Sequence, residues 1–567
     1  MRTVSSILSL GFFFTLVLIN GHTFAQDSTT NNLEAQIDNI FRGFDNINKP
    51  GAAVAVVQNQ ELVFSKGYGS ANLEYNIETT PSTVFHVASV SKQFTVFSIL
   101  LLEKQGKLSF DDDIRKYIPE VPDFGTTITL RHLASHTSGL RDQWTLLGIS
   151  GWRFDDVITK EHILNIVAKQ KELNFQPGEE YNYCNTGFTL LAEVVARISG
   201  KSFNAFTKEN IFEPLGMNNT QFYDDHERIV KNRAYSYTQT GQFTYNKSVL
   251  NFANVGATSL FTTVEDLSQW AKNFWDPKVG DLDIINTMNT LATLNNGETF
   301  GGAYGQFVNT HKGLTQIQHG GADAGYRSYI GRFPDQNLAV MVFSNLAGSN
   351  PQALSLQVAD LYLKDQLVTT SSNTGTNSST ANAPNYITLT RAQLEEFSGD
   401  YWNEPDSYAR TIYVKNDTLM YSRGANNESA LAPVSPNEFK MLNIGVDLRV
   451  RFNTQENPRQ MIVTIDGGQP FVSTEFKAPN YTAASLQEFT GEYYSEELST
   501  YYTVIVEDGK LTFRHYRNGD NALEAAKTDF FMADGYSFRF ERDAQNQLTG
   551  VRVSAGRVRN LLFEKLK

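Results

Sequence analysis

The sequence predicts a multidomain α+β protein, in which a domain with a mixed antiparallel sheet and packed helices precedes two small antiparallel β-barrels. Three observations predict this class. Strand–turn–strand patterns flank a helical region, a polar stretch follows, and the last part of the chain contains two similar all-β copies. Because the chain has 567 residues, it is too long for a single hydrophobic core.

The first predicted domain, residues 26–366, has strand patterns near both of its ends. The segment "GAAVAVVQNQELVFSKGYG", which begins at Gly51, is typical of two strands joined by a tight turn at Asn59. The segment from Gly325 to Asn345 has the same pattern around a Pro-Asp-Gln-Asn turn. Helical segments such as "TGFTLLAEVVARISG" lie between them. We therefore expect one sheet built from both ends of the domain, with helices packed on it.

The rest of the chain predicts a linker and an internal repeat. Residues 367–388 contain "TTSSNTGTNSSTANAPN", which is rich in Ser, Thr and Asn and cannot bury a core, so we interpret them as a linker. Beyond it, "LEEFSGDYW" begins at Leu394 and "LQEFTGEYY" begins at Leu486, 92 residues later. Each copy alternates apolar and polar residues between turns. We assign two closed β-barrels to residues 389–478 and 479–567.

The N-terminus has the pattern of a secretory signal peptide over residues 1–25. Arg2 supplies positive charge, an apolar run extends from Ile7 to Ile19, and small residues precede a cleavage site at Ala25. We expect a secreted or periplasmic protein without a stable membrane anchor after cleavage. An uncleaved anchor is the alternative, but the run is short for a span of about 20 residues.

The net charge of −13 gives no electrostatic footprint for nucleic acid.

Three short motifs in the first domain are candidates for chemistry. In "VASVSKQFT", Ser89 and Lys92 lie three residues apart, so a helix would place hydroxyl and amine on one face. A lysine whose pKa is lowered by burial can act as the base that a serine nucleophile needs. A helix-capping serine beside a solvated lysine is the alternative.

Two further motifs lie far downstream. In "EYNYCNTGF", Tyr183 and Asn185 precede a helix, where they could transfer protons and bind substrate. A packed ring is the alternative for Tyr183, and a helix cap is the alternative for Asn185.

In "IQHGGADAGYRS", His319, Gly321 and Ala322 precede a strand, and the paired glycines would let a substrate backbone approach and pair. The alternative is a glycine-rich turn with a surface histidine.

Together these motifs resemble the serine β-lactamase and penicillin-binding-protein superfamily, in its class C β-lactamase-like branch. The resemblance extends over about Leu33 to Leu363 and includes "RHLASHTSGL", "PLGMNNT" and "TSLFTTVEDLSQW". It implies that Ser89 is the acylated nucleophile and that Lys92 and Tyr183 share the general base and acid work. It implies substrate-binding or oxyanion roles for four more residues: Asn185, His319, Gly321 and Ala322. The backbone amides of Ala322 and Ser89 would together bind the oxyanion.

Two positions depart from the common pattern of that family. Cys184, the one cysteine of the chain, stands where serine or alanine is common, and we expect a small apolar neighbour rather than a reactive thiol. His319 stands where class C β-lactamases usually have lysine, and in this respect the chain resembles D-aminopeptidases, some DD-carboxypeptidases and esterases. A neutral histidine attracts an anionic carboxylate less than lysine does, so we expect weak or no β-lactamase activity.

A β-lactamase-like domain followed by two lipocalin-like barrels resembles the architecture of three-domain D-aminopeptidases. In that family a barrel loop can reach the active site and select a free substrate amine. The segment "VSAGRV", from Val553 to Val558, is the candidate loop in this chain. The alternative is that the barrels are spacers or bind cell-wall material.

The sequence therefore predicts an exported serine hydrolase that acts through an acyl-enzyme on small peptide, amide or ester substrates, with D-amino-acid peptides among the candidates. Two alternatives stay open. One is a β-lactamase or a peptidoglycan D-Ala-D-Ala carboxypeptidase, and the other is a non-catalytic penicillin-binding-like protein. No metal or other cofactor is predicted, since the sequence has neither an H-E-x-x-H motif nor a cysteine cluster. The oligomeric state is left open.

Overall fold

The computed structural model describes residues 28–368 and 386–567, apart from 405–407, 425–426, 443, 445–446, 466–469 and 534, with side chains from residue 32 onward. The predicted signal peptide and nearly all of the predicted linker lie outside the described residues. The predicted fold class is confirmed. An antiparallel sheet covered by helices is followed by two closed antiparallel barrels of eight strands each.

Strands from both ends of the first domain meet in one sheet. The strands of this domain are β1 Ala52–Gln58, β2 Glu61–Tyr68, β3 Ser70–Asn72, β4 Ile77–Glu78, β5 Phe85–His86, β6 Ile158–Thr159, β7 Gln221–Phe222, β8 Ser236–Gly241, β9 Thr244–Ser248, β10 Phe252–Ala253, β11 Leu260–Thr262, β12 Phe307–His311, β13 Leu314–Asp323, β14 Tyr326–Phe333 and β15 Leu338–Ser344. The main sheet has the order β12-β13-β14-β15-β1-β2. The turn between β1 and β2 is formed by Asn59 and Gln60, which both have the positive φ typical of tight hairpins.

Alternating residues of β1 face two different hydrophobic clusters. Ala53, Ala55 and Val57 belong to the cluster that contains the central helix of the domain. Ala52, Val54 and Val56 belong to a second cluster, formed with the first and last helices of the domain. Because side chains of a strand alternate between the two faces of its sheet, both faces of this sheet are covered.

The helices of the first domain surround one buried helix. They are α1 Ser28–Phe41, α2 Ser91–Lys104, α3 Leu130–Ala134, α4 Gln143–Ile149, α5 Lys160–Val167, α6 Asn185–Ser199, α7 Phe203–Thr207, α8 Glu213–Leu215, α9 Val264–Lys272, α10 Leu282–Asn289 and α11 Pro351–Leu363. Helix α2 packs against α6 and is buried on nearly every side, which its apolar sequence requires. Within the described ranges, none of the helices is both long and apolar enough to cross a bilayer.

The two barrels repeat the same local structure. The first has α12 Arg391–Glu395 and the strands β16 Gly399–Asn403, β17 Tyr408–Lys415, β18 Thr418–Ser422, β19 Glu428–Ser435, β20 Glu438–Met441, β21 Leu448–Asn453, β22 Gln460–Ile465 and β23 Phe471–Phe476. The second has α13 Ala483–Leu486 and the strands β24 Gly491–Ser495, β25 Thr500–Glu507, β26 Lys510–His515, β27 Gly519–Lys527, β28 Phe530–Ala533, β29 Tyr536–Arg542, β30 Leu548–Ala555 and β31 Val558–Lys565. The barrels meet where Trp402 packs edge-on against Phe530, with ring centroids 5.0 Å apart.

The second barrel is docked onto the first domain through a buried ion pair. Arg141 Nη1 lies 2.6 Å from Glu497 Oε2, and both side chains are almost fully shielded from solvent. Arg141 also donates hydrogen bonds to the backbone carbonyls of Arg559 and Asn560, at 3.1 and 3.3 Å. Since Arg141 belongs to the first domain, whereas Glu497, Arg559 and Asn560 belong to the barrel, these contacts fix how the two units meet.

Glu497→Ala is expected to lower the free energy of unfolding by about 3–5 kcal/mol, because it removes the closer and more buried of the two carboxylates that pair with the Arg141 guanidinium, the other being Glu172 at 3.5 Å. The matched control is Glu496→Ala, which removes the neighbouring carboxylate that pairs with Lys171 at the surface. Chemical denaturation of both variants measures the difference. Equal stability of the two variants would show that the buried pair does not hold the barrel in place.

Candidate active site

The first motif lies at the start of the buried helix α2. Ser89 is in the 3₁₀ turn Ala88–Val90 that leads into this helix, and its Oγ accepts a hydrogen bond of 3.0 Å from Lys92 Nζ. Lys92 is fully buried. The alternative of a solvated lysine is therefore wrong, and hydroxyl and amine are in direct contact.

Lys92 is held by three acceptors in an apolar surrounding. Besides the Ser89 hydroxyl, Nζ donates to Asn185 Oδ1 at 2.9 Å and to the carbonyl of Ala257 at 2.7 Å. Burial lowers the pKa of Lys92 to about 7, although the nearby carboxyls of Asp323 and Asp142 oppose this shift. A lysine with such a pKa is partly neutral at pH 7 and can accept a proton from a hydroxyl.

Tyr183 forms one wall of the site. Lys92 Nζ lies 4.9 Å from the centre of its ring, and the ring stacks on His136 with centroids 4.1 Å apart. Burial raises the pKa of Tyr183 above its ordinary value, while the Ser89 hydroxyl and the charge of Arg557 oppose the shift. The phenol is therefore protonated at neutral pH, and in the resting site it is a hydrogen-bond donor rather than a phenolate.

Asn185 connects Lys92 to a carboxylate that the sequence motifs did not reveal. Its Oδ1 accepts from Lys92, whereas its backbone N and its Nδ2 both donate to Asp142 Oδ2, at 2.7 and 2.9 Å. The residue before it, Cys184, occupies the N-cap position of α6, so the alternative of a capping role for Asn185 is wrong. Asp142 fixes the orientation of the amide, and the amide in turn fixes the position of Lys92.

Cys184 is a buried neighbour of the site. It is shielded from solvent, and its Sγ donates a hydrogen bond of 3.3 Å to the carbonyl of Leu140. Burial raises the pKa of the thiol to about 12. A protonated, inaccessible thiol is a poor nucleophile, which agrees with the apolar role expected for Cys184.

The third motif lies inside strand β13 rather than before a strand. Strand β14 pairs with β13 from Ile317 to Asp323, but β12 pairs with it only from Leu314 to Gln318. Among the described strands, the segment from His319 onward is thus paired on one side, and its residues line a cleft. This open edge leaves backbone groups available to an extended substrate.

His319 is a buried, neutral side chain, so the alternative of a surface histidine is wrong. Burial and the charge of Lys92 lower its pKa to about 3. Its Nδ1 lies 2.6 Å from the carbonyl of Gly320, which assigns the ring proton to Nδ1. Nε2 has no hydrogen-bond partner among the residues that the structure describes. This nitrogen is itself shielded from solvent.

Gly321 lets strand β13 pack directly on the turn that carries Ser89. A Cβ at this position would lie 2.2 Å from the carbonyl oxygen of Val87 and 2.4 Å from Ser328 Oγ. Ala322, the next residue, is exposed and lines the same cleft as Ser89. The close approach explains why a glycine is required here and how the strand is held beside the nucleophile candidate.

Gly321→Ala is expected to lower kcat/KM by about tenfold or more, because the added methyl group must push β13 away from the Val87 carbonyl. Gly320→Ala is the matched control, since a Cβ there meets nothing closer than 3.7 Å. Steady-state hydrolysis of an ester by both variants measures the effect. Equal activity of the two would show that the close approach of the strand is unimportant.

The cleft has a volume of about 680 Å³ and receives residues from two domains. Ser89, Tyr183, Asn185 and the β13 segment come from the first domain, and Arg557 comes from the second barrel. Trp144, Tyr181, Phe307, Asp323 and Arg327 also line it and were missed by the motifs. Among the described residues, no group of three or more His, Cys, Asp or Glu side chains is placed to bind a metal ion.

The fold and the arrangement of Ser89, Lys92 and Tyr183 are of the β-lactamase and penicillin-binding-protein type. A family model described as Beta-lactamase matches residues 37–363, and the chain belongs to this family. The protein flp of Staphylococcus aureus is 28% identical over 328 residues, which cover 56% of this chain and 64% of flp. A D-aminopeptidase of Gluconobacter oxydans is 27% identical over 320 residues, 56% of this chain and 59% of that protein. The chain thus matches less than two thirds of either relative.

A solved structure shows the same fold over a longer part of the chain. An octameric penicillin-binding protein homologue from Pyrococcus abyssi superposes with a TM-score of 0.54 and 22% identity, covering 79% of this chain and 100% of that one. The predicted resemblance to the superfamily is confirmed by these matches.

Proposed function

We propose that the protein is an exported hydrolase that cleaves amide, peptide or ester bonds through a covalent ester on Ser89. The observation that carries the proposal is the contact of 3.0 Å between Lys92 Nζ and Ser89 Oγ, together with the pKa of about 7 of this buried lysine. Serine becomes a useful nucleophile only beside a base, and this pair supplies both groups. The signal-peptide pattern at the N-terminus supports export.

Acylation follows from the arrangement of these side chains. Neutral Lys92 takes the proton of Ser89 while Oγ attacks the substrate carbonyl. The amides of Ser89 and Ala322 are the proposed donors to the developing oxyanion. The protonated Tyr183 phenol gives its proton to the leaving group and is reprotonated through Lys92.

Deacylation uses the same groups in reverse order. Water replaces the leaving group, neutral Lys92 takes its proton as the water oxygen attacks the ester carbonyl, and that proton passes to Ser89 Oγ as the ester bond breaks. Asn185 holds Lys92 through Oδ1, and its Nδ2 can bind the substrate carbonyl with the N–H that Asp142 does not use. The open edge of β13 pairs with the substrate backbone.

D-amino-acid peptides are the proposed substrate class. The proposal is supported by the similarity of the chain to a D-aminopeptidase and by a histidine, rather than a lysine, at position 319. A neutral His319 supplies no charge for a β-lactam carboxylate from this strand, so β-lactams are expected to be poor substrates.

A substrate panel tests the proposal. We expect turnover of simple esters, preference for D- over L-alanine p-nitroanilide with free or acylated amino groups, and slow or no hydrolysis of a chromogenic cephalosporin. A fluorophosphonate should label the wild-type protein. If neither labelling nor turnover of any ester or amide is seen, the chain is a non-catalytic binding protein. Fast cephalosporin hydrolysis would instead favour the β-lactamase alternative.

A further inference from the structure

A hairpin turn of the second barrel places a guanidinium in the catalytic cleft. Arg557 follows Gly556 in the turn that joins β30 to β31, and its side chain lines the cleft with Ser89. This turn lies within the segment from Val553 to Val558 that the sequence identified as a candidate loop. The loop therefore reaches the site, but the group that it brings there is a cation.

The turn contacts the first domain through both the backbone and the side chain of Arg557. The carbonyl of Arg557 accepts hydrogen bonds from the backbone N of Asp142 at 3.3 Å and from Asn174 Nδ2 at 2.9 Å. The guanidinium carbon lies 4.8 Å from the centre of the Tyr183 ring. Because backbone and side chain are both in contact with the first domain, the charge has a defined position beside Tyr183.

The donors of this guanidinium are largely free. Its nearest carboxylate oxygen is Asp142 Oδ2, 3.8 Å from Nη1 and outside hydrogen-bond distance. That oxygen already accepts two hydrogen bonds from Asn185. The side chain of Arg557 is 43% exposed, and it makes no hydrogen bond to the residues described by the structure. Arg327, in the same cleft, donates from Nη1 to the carbonyls of Ala324 and Tyr326.

We propose that Arg557 binds a carboxylate of the substrate and that the second barrel thereby selects anionic substrates for the serine hydrolase site. The inference rests on the proposed function. A guanidinium has five N–H donors in a planar fork that fits a carboxylate in bidentate geometry. Since His319 is neutral, the positive charge that the barrel brings lies beside the Tyr183 ring and not on β13. It would repel an ammonium group, so this turn is not expected to select a free amine.

A purely electrostatic role is the competing explanation, because the charge of Arg557 also helps to lower the pKa of Lys92. Two other charged groups face this lysine, the carboxyls of Asp142 and Asp323. If Arg557 acted only on Lys92, its removal would slow neutral and anionic substrates equally and would shift the pH profile upward. A carboxylate-binding role predicts instead a loss that depends on the charge of the substrate.

Matched pairs of esters separate these roles. On the acyl side, the p-nitrophenyl monoester of adipic acid is compared with its methyl-capped diester. On the leaving-group side, 3-carboxyphenyl acetate is compared with 3-carbamoylphenyl acetate. The pair that responds shows on which side of the scissile bond Arg557 binds the carboxylate. For that pair, Arg557→Gln is expected to lower kcat/KM of the anionic member by about 10- to 100-fold, and that of the neutral member by less than about threefold. Arg557→Lys, which keeps the charge without the fork, should be intermediate.

Arg559→Gln is the control, since it removes an equal charge two residues away, from a guanidinium that pairs with Glu180 at 2.9 Å outside the cleft. It should leave the preference for the anionic ester unchanged. An equal loss for both members of each pair in Arg557→Gln, or no loss, would overturn the inference. Fluorophosphonate labelling of the same preparations distinguishes failure of the proposed serine mechanism from failure of the proposed role of Arg557. An unlabelled wild-type protein contradicts the serine mechanism, whereas labelled proteins without charge preference contradict only the role of Arg557.

Discussion

Ser89→Ala is expected to lower kcat/KM for ester and amide substrates by about 10⁴-fold or more and to abolish labelling by a fluorophosphonate. The substitution removes the hydroxyl that Lys92 Nζ contacts at 3.0 Å. A base without its nucleophile can at best activate water, which is not held by the geometry that holds Oγ. Hydrolysis rates of the purified variant, with thermal unfolding as a check on folding, measure the effect.

Ser98→Ala provides the matched control for this variant. Ser98 lies on the same helix, is buried, and donates its hydroxyl proton to the carbonyl of Phe94 at 2.7 Å. Its loss is expected to affect stability slightly and kcat/KM by less than about twofold. Full activity in Ser89→Ala would assign the chemistry to another residue.

Lys92→Met is expected to lower kcat/KM by about 10²- to 10⁴-fold, because the methionine fills the space of the amine but cannot accept a proton. Lys92→Arg should be equally impaired, although it keeps a positive charge, since a guanidinium does not deprotonate near pH 7. The pair of variants separates the role of a base from that of a charge. Retained activity in Lys92→Arg would mean that Lys92 acts only through its charge.

The pH dependence of the wild-type enzyme follows from the same residue. Lys92 must be neutral to take the proton of Ser89, so kcat/KM should fall about tenfold per pH unit below the pKa of about 7 and level off above it. His319 does not titrate in this range, because its pKa is lowered to about 3. Asp323, whose pKa is raised to about 6 by burial, does titrate there. A profile that is flat from pH 6 to 8 would contradict the assignment of Lys92 as the base.

The sheet and the repeated barrels could be predicted because their signals are local. Strands alternate apolar and polar residues, and Asn59 marks a tight hairpin turn because asparagine readily adopts the positive φ that such a turn requires. The two copies that begin at Leu394 and Leu486 each fold into a barrel, with equivalent tyrosines, Tyr401 and Tyr493, donating to carbonyls four residues earlier. Local patterns of this kind survive packing.

Part of the site could not be predicted because its members act through distant contacts. Asp142 caps α4 by accepting a hydrogen bond from the backbone N of Trp144, and such a capping aspartate gives no sign of a second partner. Its contact with Asn185 spans 43 residues of the chain. Arg557 enters the cleft only because the second barrel docks on the first domain. The resemblance located the loop in the sequence and implied that it selects a free substrate amine. The loop brings a guanidinium to the cleft, and this cation would repel a substrate ammonium group.

Peptide mapping of a trapped acyl- or phosphonyl-enzyme tests the central claim most directly. Trypsin is expected to release the peptide between Lys66 and Lys92, which contains Ser89 together with Ser70, Ser82 and Ser91. After reaction with a fluorophosphonate or a slow ester, fragmentation of this peptide should place one adduct on Ser89. An adduct on another residue, or full turnover by a protein that never forms an adduct on Ser89, would contradict the account.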